Sequence, residues 1–158
     1  MNRIRNTILQ LLVLPALLGF LAGCENNDVE EEGMPYALRQ FADQYFQGRD
    51  ISDYEKLSNG NYKFDISNGP TIVVSLSTEV TKPPMTNLAS LISYQGNGET
   101  MPQTMAWNFF PPELYNYIDG LEDINKIYSM ELKNGVYYVS LFDTDVQYDT
   151  VTGTIIET

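Results

Sequence analysis

Asn59-Gly60-Asn61-Tyr62-Lys63-Phe64-Asp65-Ile66-Ser67-Asn68-Gly69 is the stretch from which the fold is read. Tyr62, Phe64 and Ile66 alternate with Asn61, Lys63 and Asp65, the period-two pattern of a strand with one apolar and one polar face. Asn-Gly stands on both sides of it, and that dipeptide signals a hairpin because both residues tolerate left-handed backbone. Working outward, strand-like runs lie at residues 51–57 and 71–77, with a weaker fourth near 78–81. Ahead of them Met34-Pro35 opens a helix, since proline suits a first turn that needs no N–H. Leu38, Phe41, Ala42 and Tyr45 follow at i, i+3, i+4 and i+7 as one apolar stripe, and Gly48 stops the helix. A sheet with one apolar side needs a cover, and this stripe supplies it.

The pattern returns later in the chain. A shift of 76 carries Pro35 to Pro111, Leu38 to Leu114, Phe41 to Tyr117 and Ala42 to Ile118. After one deletion, a shift of 75 carries Asn59-Gly60 to Asn134-Gly135, and Tyr62, Phe64 and Ile66 to Tyr137, Val139 and Leu141. Helix stripe and hairpin recur in order, which reads as a duplication. The second half is expected to hold a helix at 112–121 and strands near 125–132, 136–142, 146–150 and 154–157. Residues 83–109 carry loop chemistry at Pro83-Pro84, Gly96-Asn97-Gly98 and Met101-Pro102. Within them, 87–94 reads equally as a short helix or a strand.

The expected fold is therefore α+β: a tandem repeat of two units, each an amphipathic helix packed on a four-stranded antiparallel sheet. Residues 34–82 form the first unit, 83–109 a connector and 110–158 the second unit. This arrangement resembles the PepSY-like family of Bacteroidetes envelope proteins, also called β-lactamase-inhibitor-like. The likeness spans about residues 34–158. Its carriers are Met34-Pro35, Tyr45-Phe46, Tyr62 through Asn68-Gly69, Pro111-Pro112, Tyr117-Ile118 and Tyr137 through Leu141. The resemblance implies secretion, no established activity, and a protein-binding or inhibitory role. Members of the family often end the first repeat with a glycine-tryptophan strand. Here that place reads Leu76-Ser77-Thr78-Glu79-Val80.

The N-terminus carries an address. Arg3 and Arg5 precede an apolar run from Ile8 to Ala22 broken by Gln10, Pro15 and Gly19. That run is too short for a spanning helix and has the layout of a secretory signal peptide, residues 1–23. Leu21-Ala22-Gly23-Cys24 resembles the bacterial lipoprotein lipobox. The resemblance implies cleavage between Gly23 and Cys24, lipidation of Cys24 and a membrane anchor without a spanning segment. Residues 24–33 hold five acids and no base, which reads as an acidic tether. Acids directly behind the cysteine resemble the surface-export signal of Bacteroidetes-type lipoproteins. The expected location is an outer-membrane lipoprotein, facing the periplasm or exposed at the cell surface.

Removing residues 1–23 leaves 7 basic against 21 acidic residues, a net charge of −14. Such a surface repels nucleic acid and anionic headgroups. The chain has no histidine, and its one cysteine is Cys24. Histidine-dependent triads and zinc sites are thereby excluded, and no spacing of carboxylates points to a glycosidase pair. The expectation is a non-catalytic protein with no cofactor and no metal. Asp143 and Asp145 read as residues of a turn between two strands, with a calcium site that adds Asp149 as a second reading. If Tyr137, Val139 and Leu141 face the core, then Val136, Tyr138, Ser140 and Phe142 face the other way. Tyr138 and Phe142, with Trp107 in the connector, are the candidate contacts for an envelope or secreted protein. The competing reading is that this strip docks the connector, through Trp107 and Phe109, or the other repeat. Because aromatic platforms also stack on sugars, surface glycan binding is the alternative function.

Overall fold

The computed structural model describes residues 33–76 and 89–158. Helix α1 (Tyr36–Tyr45) leads into strands β1 (Ile51–Lys56), β2 (Tyr62–Ile66), β3 (Thr71–Leu76) and β4 (Ala89–Gln95). Helices α2 (Gln103–Phe109) and α3 (Pro112–Gly120) follow, then β5 (Ser129–Lys133), β6 (Val136–Ser140), β7 (Asp145–Asp149) and β8 (Ile155–Glu157). The strands form one antiparallel sheet in the order β1-β2-β3-β4-β5-β6-β7-β8. The leader, Cys24, most of the tether and the strand expected near 78–81 lie outside the described residues.

The expected pair of helix-on-four-strand units is corrected by this sheet. The described residues form a mostly β structure with one eight-stranded sheet and three short helices. The decisive element is β4, which pairs with β3 on one side and β5 on the other. Ile72, Tyr94 and Met130 thus stand in one row across the middle of the sheet. The helices likewise share a single core instead of covering separate sheets. Phe41 of α1 meets Phe64 of β2 edge-on at 5.6 Å and stacks on Phe109 of α2 at 5.8 Å. Phe110, just past α2, meets Tyr137 of β6 at 5.8 Å. Leu38, Phe41, Met105, Ala106, Leu114 and Ile118 are all buried in one apolar cluster with the inward sheet residues. A side chain such as Leu38 or Leu114, fully buried, contributes about 1.5–3 kcal/mol. A boundary between two units would expose this shared surface.

Each helix begins directly after a proline: Pro35, Pro102 and Pro111 all have φ near −55° with an extended ψ. That geometry turns the chain into a helix without a side-chain cap. The β5–β6 hairpin is the two-residue turn its sequence requires, with Asn134 at φ 53° and Gly135 at φ 80°. In β4, Val73 faces Ser93 while the adjacent Val74 faces Leu91, so Ile92 is the extra residue of a bulge. The bulge keeps both Leu91 and Tyr94 on the buried face.

Candidate functional site

All three helices lie against one face of the sheet, and no described element covers the other. Strand alternation decides which side chains stand on this open face. On its β4–β8 half the register aligns Ser93, Glu131, Tyr138, Gln147 and Ile156 in one cross-strand row. A second row holds Gln95, Ser129, Ser140 and Asp145. Tall residues, chiefly Tyr138 and Glu131, rise beside the short side chains of Ser93, Ser129 and Ser140. Together they shape a depression of about 400 Å³.

The lining of this depression is polar and acidic. Glu131 and Asp145 are its charged side chains, and it contains no lysine or arginine. Ser140 Oγ donates to Asp145 Oδ1 at 2.5 Å, which holds that carboxylate in place. Glu131, Tyr138 and Gln147 make no side-chain hydrogen bond or ion pair with the described residues. Elsewhere on the same face the carboxylates are engaged. Glu55 accepts from Lys63 at 3.2 Å, Asp65 accepts from Thr71 at 2.6 Å, and Asp149 accepts two backbone N–H groups.

The candidate contacts named from sequence are only partly assembled. Tyr138 stands in the depression, 42% exposed. Phe142 lies beyond β6, 64% exposed, its ring 6.4 Å from Tyr128 and not in the lining. Trp107 is 66% exposed on α2, edge-on to Tyr115 at 5.0 Å, on the helix side of the sheet. A single flat partner surface does not reach Trp107 and Tyr138 together, because the sheet lies between them. Trp107 and Phe109, the connector residues expected to dock on this strip, do not reach Tyr138. Met105 and Ala106 bury on the helix side, and Phe109 packs against Phe41 and Tyr45 there. Residues 23 and 24 lie outside the described residues.

Of the two aspartates read as turn residues, Asp143 lies in the bend between β6 and β7, whereas Asp145 already belongs to a strand. Asp145 begins β7 and Asp149 ends it, where its carboxylate caps the β7–β8 turn through the N–H groups of Val151 (2.7 Å) and Thr152 (3.0 Å). Those two donors hold the Asp149 carboxyl below its ordinary value. Among the described residues no group of three or more acidic or other ligating side chains is placed to hold a metal ion.

Beneath the depression, Tyr94 turns its ring into the core, 1% exposed. Burial, with the nearby Glu99 carboxylate, pushes its phenol far above the ordinary tyrosine range. One end of the sheet is held by three loops that converge on Arg49. Its Nη1 donates to Glu99 at 2.6 Å and its Nη2 to the Ser67 carbonyl at 2.9 Å. Asn97 adds a bond to the Gly69 carbonyl at 3.0 Å.

Comparison with known proteins places the architecture. A "putative calcium-regulated periplasmic protein" from Bacteroides thetaiotaomicron superposes with a TM-score of 0.53 at 15% identity, covering 78% of this chain and 88% of that one. A "putative periplasmic protein" of the DUF2874 family from Bacteroides vulgatus superposes with a TM-score of 0.53 at 13% identity, covering 78% and 87%. At such identity the likeness establishes a shared fold. No family model and no curated protein matches the chain. Both neighbours are described as periplasmic, which agrees at that coarse level with the envelope location expected from residues 1–24.

Proposed function

We propose that this chain is a lipid-anchored envelope protein of the PepSY-like kind that recognises another envelope or secreted protein noncovalently, through the open face of its sheet, and thereby inhibits or regulates it. The observation that carries the reading is the uncovered depression, where Tyr138 stands exposed between the unpartnered side chains of Glu131 and Gln147. Exposed tyrosines are common anchors at protein interfaces because a rigid ring buries much area at little entropic cost. The anchor is the lipidated Cys24, and the outer membrane is the proposed membrane. No helix among the described residues is long and apolar enough to cross a bilayer. Substituting Cys24→Ser should abolish palmitate labelling and move the chain out of the membrane fraction. Continued labelling of that variant would remove the anchor from the reading.

Affinity capture tests the recognition itself. The full chain, immobilised in detergent, is exposed to native envelope and secretome extract, and retained proteins are identified by mass spectrometry. A protein retained by the native chain and by Phe142→Ser but lost with Tyr138→Ser is the expected result. Retention that ignores Tyr138 would overturn the assignment of this face. The alternative, a surface glycan-binding accessory protein, draws on the hydroxyl and amide groups around the Tyr138 ring. Glycan-array binding abolished by Tyr138→Ser would favour it.

A further inference from the structure

The proposed recognition role leaves open what kind of surface the partner brings, and the open face carries an answer in its charge. From β1 to β8 the register places Asp53, Glu55, Asp65, Glu131, Asp145 and Asp149 on this face, against Lys63 and Lys133. Lys63 is already paired with Glu55. The depression itself holds Glu131 and Asp145 and no basic side chain. Glu131 is directly opposite Tyr138 across the β5–β6 pairing, and Asp145 is on the diagonal from it across β6–β7. Such neighbours lie roughly 5 Å and 7–8 Å apart, so one cationic group reaches the ring and both carboxylates.

Resting on that recognition role, we infer that the partner presents a basic protein segment, with a lysine or arginine side chain lying over the Tyr138 ring and its charge shared by Glu131 and Asp145. An electron-rich tyrosine face attracts a cation, and flanking carboxylates add to that attraction. An acidic or phosphorylated partner meets repulsion in the depression, whose lining holds no base. A neutral ligand covering Glu131 leaves a carboxylate stripped of water with nothing to replace it. A bare metal ion lacks its ligands here, since no group of three suitable side chains converges among the described residues.

The test is fluorescence anisotropy of the full chain with a labelled peptide of alternating arginine and serine. Peptides with glutamine or glutamate in place of arginine serve as controls. The arginine peptide should bind about tenfold more tightly than the glutamine peptide, and Glu131→Gln and Tyr138→Leu should each weaken it about fivefold. Asp119→Asn removes the same charge from an exposed site on α3, on the helix side, and should change binding less than about twofold. Equal losses for Glu131→Gln and Asp119→Asn would reduce the effect to net charge and overturn the inference. So would glutamine or glutamate peptides binding as well, or an arginine peptide that does not bind. In each of those cases the recognition role stands if capture from extract still depends on Tyr138. It falls too only if that dependence is also missing.

Discussion

Gly69→Ala provides a sharp test of how the loop end of the sheet is held. Gly69 has a backbone conformation open to alanine, so the substitution is not strained in itself. The nearest heavy atoms to the new Cβ are all in the Arg49 guanidinium, and Nη2 would overlap it. That guanidinium must move, and its bonds to the Ser67 carbonyl and Glu99 go with it. A hydrogen bond to a charged group contributes about 1.5–3 kcal/mol, and an exposed ion pair about 0–1 kcal/mol. With Arg49 28% and Glu99 42% exposed, solvent screening places the pair of contacts near the low end, roughly 1–2 kcal/mol. Alanine returns about 0.4–1 kcal/mol by restricting the unfolded chain. Gly69→Ala alone should thus lose about 1 kcal/mol, or roughly 4 °C in Tm. Arg49→Ala alone should lose about 1–2 kcal/mol. In the Arg49→Ala background the clash is gone, so adding Gly69→Ala should be neutral or stabilising by up to about 0.5 kcal/mol. Urea unfolding of the four chains reads this change of sign. If Gly69→Ala is equally harmful in both backgrounds, its neighbour is something other than the guanidinium and the argument is refuted.

Gly96→Ala should be far worse, by about 3 kcal/mol, because the new Cβ would overlap the Glu99 carbonyl and approach the Tyr128 carbonyl at 2.9 Å, and backbone cannot swing aside. A loss under about 1 kcal/mol in thermal unfolding would contradict that packing. Tyr94→Phe should be neutral or stabilising by about 1 kcal/mol, since the buried hydroxyl finds no acceptor among the described residues. The phenols of Tyr94, Tyr45 and Tyr137 are raised chiefly by burial, so their contribution is complete below the ordinary tyrosine value and is lost as pH rises through the folded values. Urea midpoints across the alkaline range should therefore fall less steeply for Tyr94→Phe than for the native chain. Asp149 works in the opposite direction: its lowered carboxyl contributes stability above the ordinary carboxylate value and loses it as pH falls through the folded one. Asp149→Ala should accordingly flatten the acid side of a Tm-against-pH curve, and an unchanged slope would show that the β7–β8 turn does not depend on that cap.

Most of the strands and two helices were legible from period and punctuation. Residues 62–66 and 136–140 alternate cleanly because one face is buried and the other wet. The helix α2 was missed although its signal was present: Met101-Pro102 repeats the Met34-Pro35 that opens α1, and Met105, Ala106 and Phe109 form an apolar patch. The strand β4 was ambiguous for a physical reason. Leu91 and Tyr94 are three apart, a helical spacing, and only the bulge at Ile92 brings both to one face of a strand. With β4 undecided, nothing in the sequence said that the two halves share a sheet. At the site, Tyr138 was legible because it lies between Tyr137 and Val139 on the opposite parity. Glu131 and Gln147 were not, because their place beside Tyr138 depends on how β5, β6 and β7 are registered.

By itself the sequence determined local choices: the starts of α1 and α3, the Asn134-Gly135 turn, the inward faces of β2 and β6, the acidic charge and the absence of histidine. These follow from backbone preferences and hydrophobic period, which act over a few residues. Only the tertiary structure decided that β4 joins β3 to β5, that three helices share one core, and that Trp107 and Tyr138 face opposite ways. Strand partners are chosen by which pairing buries the most apolar surface across the whole chain, and that sum is not written in any one segment.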